Sequence, residues 1–571
     1  MNSLFTNLNP YFFGYMLMYF FWFVAQNRII LFWLYLWQLK EYHIGRFLDH
    51  FSTSKGKSLL WNYLVASKLG ILIFFALGFR TVFVFLAILL FVFEAALTVR
   101  SFLNETLKHP VLTPKTRLLI FATHGLAFLF AISLFSKYLG EMSLPDFSLA
   151  ALWLIMFDLL APLFVSAVVL LLQPFTVLGR NRLIAKAKKR RQEFNNLNVV
   201  GITGSYGKSS TKELLAHILS SKFRVAKTQA NQNSEVGVSL TVLNELKDDT
   251  QILIVEMAGY NRGGIKLLCE IAQPRIGIIS GINQQHMATF GSQQNIIDGK
   301  FELAAALPES GFLVLNWDSE FVRNGYEKFK NAIKTKNIVW CSANEQKDIW
   351  ASDVQASIEN LSLTINHENE MVRVNINARG AHNIQPILLA VAAALSQGIT
   401  LTETKAALEN YDFSQSGIRV YQSKMLGDVK HPQTWGCLTS PEPAGGITIL
   451  DSTYSANFDG VMAHLDYLRM YPGKKAIVMP CLIELGKSSR EIHAAIGKKI
   501  AQVCDLAIIV TGDRFGEIKN GAIGAGINAG NVVFLENPIT INNLIKNRLI
   551  SGDTIFLEGR LPQNLIELVR K

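Results

Sequence analysis

Cysteine is scarce in this sequence, with five residues among 571. No two of them form a Cys-x-x-Cys pair, and none stands with histidine at the spacing of zinc ligands. The five positions are Cys269, Cys341, Cys437, Cys481 and Cys504. Neither a disulfide framework nor a zinc site is therefore predicted, and the pattern is typical of a chain whose later part lies in a reducing compartment.

Charged residues are also few, at 17% of the chain against 50% hydrophobic residues, and the shortage is concentrated before about Phe175. This first third contains apolar runs long enough to cross a hydrocarbon core of about 30 Å. The runs are Tyr11–Trp37, which Asn27 and Arg28 interrupt, and Tyr63–Phe79, Thr81–Val99, Leu118–Phe135 and Leu149–Phe175. No basic residue precedes Arg28 and no small-residue cleavage site follows the first run, so we expect the first helix to be retained. The sequence thus predicts a transmembrane domain of about five helices.

Basic residues are unevenly distributed between the runs. Segments 40–57 and 100–117 are basic and 180–191 (RNRLIAKAKKRR) is more so, whereas 137–147 holds one lysine against two acidic residues. Because Lys and Arg accumulate on the cytoplasmic side, this predicts an outside N-terminus and a cytoplasmic location for everything after Phe175. A lipid bilayer explains the net charge of +11. No nucleic-acid partner is predicted, because no aromatic residues interleave the basic tract.

Two acidic residues, Glu94 and Asp158, fall inside the predicted spans. A carboxylate in lipid is energetically costly, so such residues either take part in function or pair with neighbouring groups. The sequence leaves both interpretations open.

After the basic tract the pattern becomes that of an α/β protein. Asn198–Ile202 is typical of a buried strand, Gly201–Ser210 (GITGSYGKSS) of a glycine-rich turn, and Thr211–Ser220 of a helix. This arrangement binds phosphate, because backbone N–H groups and the helix N-terminus face the anion, a lysine adds charge and a hydroxyl can ligate Mg²⁺. The candidate nucleotide-binding residues are Gly204, Ser205, Gly207, Lys208, Ser209 and Ser210. The fit to the general P-loop pattern is imperfect, because Ile202 occupies the position of its first glycine, and a glycine turn without nucleotide is the alternative.

The loop resembles the ATP loop of the Mur ligase family, and further segments follow in that family's order. They are Thr228–Gly237 (TQANQNSEVG), Ile252–Met257 (ILIVEM), Ile276–His286 (IGIISGINQQH), Lys300–Glu302 (KFE), Val314–Asp318 (VLNWD), Gly380–Asn383 (GAHN), Asp451–Asn457 (DSTYSAN), Glu484–Gly486 (ELG) with His493, and Leu557–Arg560 (LEGR). The set covers about Asn198–Lys571 and is most similar to the MurF type, which joins D-alanyl-D-alanine to a UDP-muramoyl tripeptide.

The resemblance implies an ATP-dependent carbon–nitrogen ligase of cell-wall peptidoglycan synthesis that forms an acyl phosphate, with ATP and Mg²⁺ as cofactors. The implied catalytic residues are Lys208, His286 and Lys300. One Mg²⁺ would lie on Ser209 and Glu256, and a second on His286 and a carbamylated Lys300. From the residues alone, Glu256 is as typical of a helix cap and His286 more typical of a core or surface histidine.

The resemblance also implies contacts outside the glycine loop. Asn383 matches the residue that reads adenine, and Arg419 matches an arginine at the hinge into the last domain, although a solvated loop arginine is an equal interpretation. Asp451, Tyr454 and Asn457 match positions near the amine substrate. Ser455 and Phe458 replace the Asn and Pro usual in MurF-type sequences, which leaves the added amino acid or dipeptide open.

The predicted fold class is an N-terminal α-helical transmembrane domain followed by an α/β Mur ligase central P-loop domain and a Rossmann-like C-terminal domain. The predicted bounds are 1–175 for the transmembrane domain, 176–197 for a basic cytoplasmic linker, 198–413 for the central domain and 414–571 for the last domain. This organisation implies a multi-pass protein of the bacterial inner (cytoplasmic) membrane.

No domain that grips a UDP-muramoyl peptide fits between the last span and the glycine loop, so the acceptor is either a cell-wall precursor bound differently or another carboxylate. A membrane-tethered poly-γ-glutamate synthase is the second ligase interpretation, although the motifs at 451–457 and 484–486 favour the MurF type. An ATP-driven transporter is an interpretation of another class. It is disfavoured because no Leu-Ser-Gly-Gly-Gln signature follows the loop and the spans show no inverted repeat.

Overall fold

The computed structural model describes residues 10–40, 42, 44–51, 53–104, 106–138, 143–229, 232–413, 417–423, 446–453 and 456–570. They form two compact units that divide between Asn181 and Arg182. The first, called here the helix unit, consists of α1 (Pro10–Leu39), α2 (Ile44–His50), α3 (Ser54–Leu60), α4 (Tyr63–Ala76), α5 (Arg80–Leu103), α6 (Pro114–Tyr138) and most of α7 (Leu144–Gln192).

Five stretches of the described helix unit are long and apolar enough to cross a membrane. They are Phe12–Leu39, Gly56–Ala76, Arg80–Leu103, Pro114–Tyr138 and Leu144–Gln192. The second stretch joins part of α3 to α4 across a bend at Trp61 and Asn62. Helix α1 runs through Asn27 and Arg28 without a break. Large aromatic side chains such as Trp22 and Trp37 fill the interior. The five apolar runs of the sequence therefore correspond to five mainly helical stretches of sufficient length.

The predicted linker at 176–197 is helical as far as Gln192, because α7 continues through the basic tract. Ala, Lys and Arg are good helix formers, which favours this continuation. The last turns of α7 also pack within the second unit, where Ile184 and Ala187 lie in a buried cluster with Val238 and Leu268. Arg191 is buried and its Nε donates to the Ala272 carbonyl at 2.9 Å.

The second unit, called here the α/β unit, contains two sheets. The nine strands of the first are β1 (Asn198–Thr203), β2 (Val225–Lys227), β3 (Ile252–Glu256), β4 (Ile276–Ile279), β5 (Phe312–Asn316), β6 (Asn337–Ser342), β7 (Ile349–Ala356), β8 (Leu361–His367) and β9 (Glu370–Ile376). Their order is β2-β3-β1-β4-β5-β6-β7-β8-β9. Pairing is parallel up to β7 and antiparallel from β7 to β9.

The helices that accompany the first sheet are α8 (Lys208–Leu219), α9 (Glu235–Asn244), α10 (Gly264–Ala272), α11 (Met287–Phe290), α12 (Gln293–Ala306), α13 (Glu320–Phe329), α14 (Ile384–Leu395) and α15 (Leu401–Glu409). Strand β3 is buried along its whole length, as expected of a parallel strand covered on both faces. Leu215 of α8 and Leu388 of α14 belong to one buried cluster, and α9 and α10 contribute to another.

The second sheet has six strands: β10 (Arg419–Gln422), β11 (Thr448–Ser452), β12 (Lys475–Met479), β13 (Leu506–Ile509), β14 (Val532–Phe534) and β15 (Thr554–Glu558). Their order is β10-β11-β15-β12-β13-β14, and β10 is the antiparallel member. Its helices are α16 (Phe458–Arg469), α17 (Ser489–Val503), α18 (Phe515–Gly524), α19 (Pro538–Arg548) and α20 (Gln563–Arg570). The predicted α/β architecture is confirmed, while the boundary predicted at Ser414 lies outside the described residues.

Strand order brings three strand ends to one edge of the first sheet. Strand β1 lies between β3 and β4, with Ile202 opposite Glu256 and Thr203 opposite Ile279. The glycine loop follows β1 directly. Ligands of open parallel sheets bind beyond the carboxyl ends of the strands, so the candidate site lies at this edge.

Candidate active site

The glycine loop after β1 adopts a conformation that requires its glycines. Gly204 and Gly207 have φ angles of 151° and 77°, in the left-handed region that side chains disfavour. A Cβ at Gly204 would also overlap the Ser280 hydroxyl. Gly207 caps α8, so the loop delivers the chain to a helix N-terminus whose free N–H groups favour an anion.

Lys208 opens α8 and folds back over the loop, where its Nζ donates to the Gly204 carbonyl at 2.8 Å. Burial lowers the pKa of Lys208, and the charge of Glu256 opposes this shift. The Lys208 ammonium group is therefore held at the loop by its hydrogen bond to the Gly204 carbonyl. A phosphate bound at the loop would compete with that carbonyl for the ammonium group.

Glu256 ends β3 and connects it to α8 and to the asparagine-rich loop. Its Oε2 accepts from the Ser209 hydroxyl at 2.9 Å and its Oε1 from the Asn233 amide at 3.0 Å. The Lys212 Nζ lies 3.4 Å from Oε2. Burial alone would raise the pKa of Glu256, but the Asn233 hydrogen bond and the charges of Lys208 and Lys212 bring it below its usual value. The carboxylate is thus held ionised beside a hydroxyl, a pair of oxygen ligands of the kind Mg²⁺ prefers.

His286 and Glu484 join the loop after β4 to the second sheet. The His286 Nδ1 and the Glu484 Oε2 are 2.6 Å apart. Both residues have positive φ, at 67° and 64°, which is uncommon for residues other than glycine and clusters at functional sites. Burial lowers the pKa of His286, and the Glu484 carboxylate opposes this shift.

Lys300 lies on α12 and is 3% exposed. Burial lowers its pKa to about 7, and the charge of Lys208 acts in the same direction. Lys300 and Lys208 also both lower the pKa of His286. The arrangement places two lysines near a histidine that is disfavoured from carrying a charge.

In the second sheet, Asp451 at the end of β11 is held by the Arg570 guanidinium and accepts from the Thr453 N–H at 2.9 Å. Asn457 caps α16 by accepting from the Gly460 N–H at 3.1 Å. Its Oδ1 also lies 3.4 Å from the Asn283 amide nitrogen. Tyr454, the third residue predicted for the amine side, lies outside the described residues.

Asn383 and Arg419 make local contacts or face solvent. The Asn383 amide donates to the Arg379 carbonyl at 2.9 Å within a short 3-10 turn, and Arg419 is an exposed residue of β10. Among the described contacts, none joins either side chain to the loop. Pro386 nevertheless comes within 3.9 Å of the position a Cβ of Gly207 would take, so the start of α14 adjoins the loop.

Several contacts of the site were not predicted from the sequence. Asn283 donates to Asp459 at 2.7 Å, and its backbone N–H donates to the Ser205 hydroxyl at 3.2 Å. Lys212 follows Lys208 by one helical turn, and that spacing on α8 could have indicated it. Asn233 belongs to the asparagine-rich loop, whereas no local pattern marks Asp459 or Asn283. His493 has a structural role, since its Nε2 accepts a hydrogen bond from the Leu482 N–H at 2.9 Å.

Comparison with known families agrees with this geometry. Residues 202–394 match the Mur ligase middle domain, and residues 440–561 match the Mur ligase, glutamate ligase domain. A UDP-N-acetylmuramoyl-tripeptide–D-alanyl-D-alanine ligase of Synechocystis sp. is 30% identical over 371 residues, which are 65% of this chain and 73% of that protein. This chain belongs to the Mur ligase family.

Other members of the Mur ligase family show similar relations. A protein of the same name from Bacillus subtilis is 26% identical over 67% of this chain and 77% of its own length. One from Mycobacterium bovis is 29% identical, and the match spans 62% of that protein. The Thermotoga maritima MurF structure in complex with ADP superposes with a TM-score of 0.56 at 23% identity, covering 68% of this chain and 83% of that one. A MurF structure from Acinetobacter baumannii gives 0.56 at 24% identity, covering 69% and 81%.

Mur ligases are ATP-dependent ligases that use Mg²⁺. The predicted family, the predicted enzyme class and the predicted cofactors, ATP and Mg²⁺, are therefore confirmed. The individual site residues and the predicted domain bounds stay predictions.

Proposed function

We propose that this protein is a membrane-anchored Mur ligase that joins an amine such as D-alanyl-D-alanine to a carboxylate of a cell-wall precursor. The observation that carries the proposal is the Ser209 to Glu256 hydrogen bond beside Lys208, with His286 and Glu484 meeting at the same edge. When bound, Mg²⁺-ATP would supply the γ-phosphate that activates the acceptor carboxylate as an acyl phosphate, which the amine then attacks.

The side chains of the loop fit Mg²⁺-ATP. Gly204, Ser205, Gly207 and Ser210 would present backbone and hydroxyl groups to the phosphates, as in other glycine loops. Lys208 would leave the Gly204 carbonyl and neutralise phosphate charge. Ser209 and Glu256 would hold the metal ion, which usually keeps several water ligands. That preference agrees with the finding that no group of three or more His, Cys, Asp and Glu within the described residues could hold a metal ion.

The acceptor carboxylate would lie between the loop and the second sheet. Lys208 and Lys300 bring positive charge there, and charge neutralisation is the main requirement of phosphoryl transfer. A carbamate on Lys300 would replace a buried ammonium by an oxygen ligand and so relieve its repulsion with Lys208. We propose that Lys300 and His286 hold a second Mg²⁺ in this form.

The amine would approach from the second sheet. The Asp451 carboxylate, near the end of β11, forms an ion pair with the Arg570 guanidinium. The same carboxylate would be an ionic partner for the ammonium group of the amine substrate. Asn457 and Asp459 surround the Asn283 amide. These residues, with Tyr454, are the proposed amine side, and Asn383 and Arg419 are the proposed adenine and hinge contacts.

Anchoring is supported by the five long apolar helices and by the basic end of α7. Two exposed loop residues test the proposed orientation, in which the N-terminus is outside. Leu77→Cys should react with a membrane-impermeant thiol reagent in intact cells, whereas Leu112→Cys should react only after permeabilisation. Equal labelling of both positions in intact cells would contradict the orientation.

The ligase proposal is tested with the purified full-length protein in detergent. Phosphate release should require both D-alanyl-D-alanine and a carboxylate acceptor, and mass spectrometry should find an acceptor heavier by the added group. A UDP-muramoyl tripeptide and its lipid-linked counterpart should be compared as acceptors. ATP turnover indifferent to every amine and acceptor would overturn the proposal.

A further inference from the structure

Four helices of the helix unit bring polar side chains together in its interior. The Lys68 ammonium of α4 lies 3.0 Å from Oε1 of Glu94 on α5 and 2.8 Å from Oδ2 of Asp158 on α7. Helix α1 adds Trp22, whose indole N–H donates to Asp158 Oδ1 at 2.8 Å, and Gln26, whose amide donates to the same oxygen. These five residues are called here the interior polar cluster.

Each carboxyl group of the cluster has one buried oxygen without a hydrogen-bond partner in the described part of the chain, Glu94 Oε2 and Asp158 Oδ2. Asp158 Oδ2 forms the ion pair with Lys68, and its Oδ1 accepts from Trp22 and Gln26. Glu94 uses Oε1 for Lys68. Gln26 Oε1 is a third buried oxygen that lacks a donor there. Gln26 and Glu94 are each 1% exposed.

The charges of the cluster do not cancel if every group is ionised. Two carboxylates share one ammonium, and among the described residues Lys68 is the cation paired with either carboxylate. Other titratable side chains of the helix unit make separate contacts. Arg80 donates to Ser148, and His124 contacts the Ile120 carbonyl. Lys115 lies over the Tyr42 ring and Lys137 over the Tyr138 ring, while the rings of Tyr15 and Tyr19 pack against Phe147 and Phe135. Burying an unpaired charge costs several kcal/mol.

We propose that the interior polar cluster is a proton-binding site whose two carboxyl groups together hold one exchangeable proton. The remaining carboxylate charge balances Lys68. The proton satisfies one of the two buried carboxyl oxygens that lack a hydrogen-bond partner. Gln26 Oε1 supplies an acceptor within the same cluster. Gain or loss of this proton changes contacts among α1, α4, α5 and α7, so the helix unit carries a titratable site in addition to its apolar surface.

The proposal predicts how many protonated carboxyl groups the cluster contains in each variant. Infrared spectroscopy of the full-length protein in detergent at neutral pH detects the C=O band of a protonated carboxyl group, which is separate from the bands of a carboxylate. The band should disappear in Glu94→Gln. It should also disappear in Asp158→Asn, because Glu94 then ionises to balance Lys68. In Lys68→Met it should grow about twofold, because both carboxyl groups must then be neutral.

Glu309→Gln, at an exposed position of the α/β unit, is the matched control and should leave the band unchanged. Far-ultraviolet circular dichroism and size-exclusion chromatography in detergent check that the helix unit of each variant is folded. A wild-type spectrum without the band, or a band that survives Glu94→Gln, would overturn the proposal. Loss of the wild-type band on adding Na⁺ at constant pH would overturn the proton assignment in favour of a metal cation.

Discussion

The helix unit and the α/β unit both bury ionic clusters, but the excess charge has opposite sign. In the α/β unit Lys208 and Lys212 both act on Glu256, and the charge of Lys208 also acts on Lys300. In the helix unit Glu94 and Asp158 share Lys68. A buried cation excess is neutralised by an anionic ligand, whereas a buried anion excess surrounded by apolar helices is neutralised most simply by a proton. The sign of the excess thus indicates the kind of ligand.

The largest expected effect concerns the cation excess. Lys208→Ala should lower the ligation rate by about 10²–10³-fold, because it removes the ammonium that faces the transferred phosphate. Phosphate release measures this. Lys222→Ala, which removes a surface ammonium paired with Glu403 at 2.8 Å, should keep wild-type activity. Equal activity in both variants would contradict the role of Lys208.

The matching change in the helix unit is Lys68→Ala. It should destabilise the protein by about 3–5 kcal/mol, because the one carboxylate charge of the cluster loses its cation. The loss should shrink at lower pH, where a second proton neutralises that charge. Thermal unfolding in detergent measures it, and Lys57→Ala at an exposed position of α3 is the control. If the two variants unfold alike, the cluster does not stabilise the helix unit.

Glu256→Gln sharpens the comparison by removing the anion from the cationic cluster. It should raise the Mg²⁺ concentration needed for half-maximal activity by about 10–100-fold, a typical loss when a metal site is weakened. A Mg²⁺ titration measures this. Glu245→Gln, at an exposed C-cap, should leave the titration unchanged. An unchanged titration in Glu256→Gln would count against its place at the metal.

A smaller effect is expected at the contact between the loop after β4 and α16. Asn283→Ala removes the donor to Asp459 and should cost about 1 kcal/mol, or roughly fivefold in activity. The loss should fall mainly on the KM for the amine, because the contact orders the second sheet. Asn410→Ala, on the surface, serves as control. An effect confined to the KM for ATP would contradict this division.

A pH dependence is expected at His382. Burial lowers its pKa from 6.5 to about 3, and His464 acts in the same direction. The unfolded histidine takes up a proton below about 6.5 while the folded one stays neutral, so the unfolding free energy should fall as pH is lowered through this window. His382→Gln should show a shallower fall in denaturant titrations. Parallel slopes in the two proteins would exclude this contribution.

Contacts between neighbouring elements could be predicted from the sequence. The loop from Gly201 to Ser210 and the carboxylate ending β3 were both predicted at strand ends. The structure brings Ser209 and Glu256 together because β1 and β3 are adjacent parallel strands. The pairing of His286 with Glu484 was not predicted, since 198 positions separate them and the two sheets must first pack. Asp459 carried no local signal for the same reason.

The amino-acid pattern alone accounts for five apolar helices, two series of buried strands and a glycine loop in front of a helix. These features arise from periodicity and from backbone preferences of neighbouring residues, which act over a few positions. Packing selected the partners of the charged side chains: Lys68 with Glu94 and Asp158, Lys212 with Glu256, and His286 with Glu484. The side chains of each pair come together only when the elements that carry them pack. An unpaired charge in the interior is strongly destabilising, so only arrangements that give each charge a partner are stable.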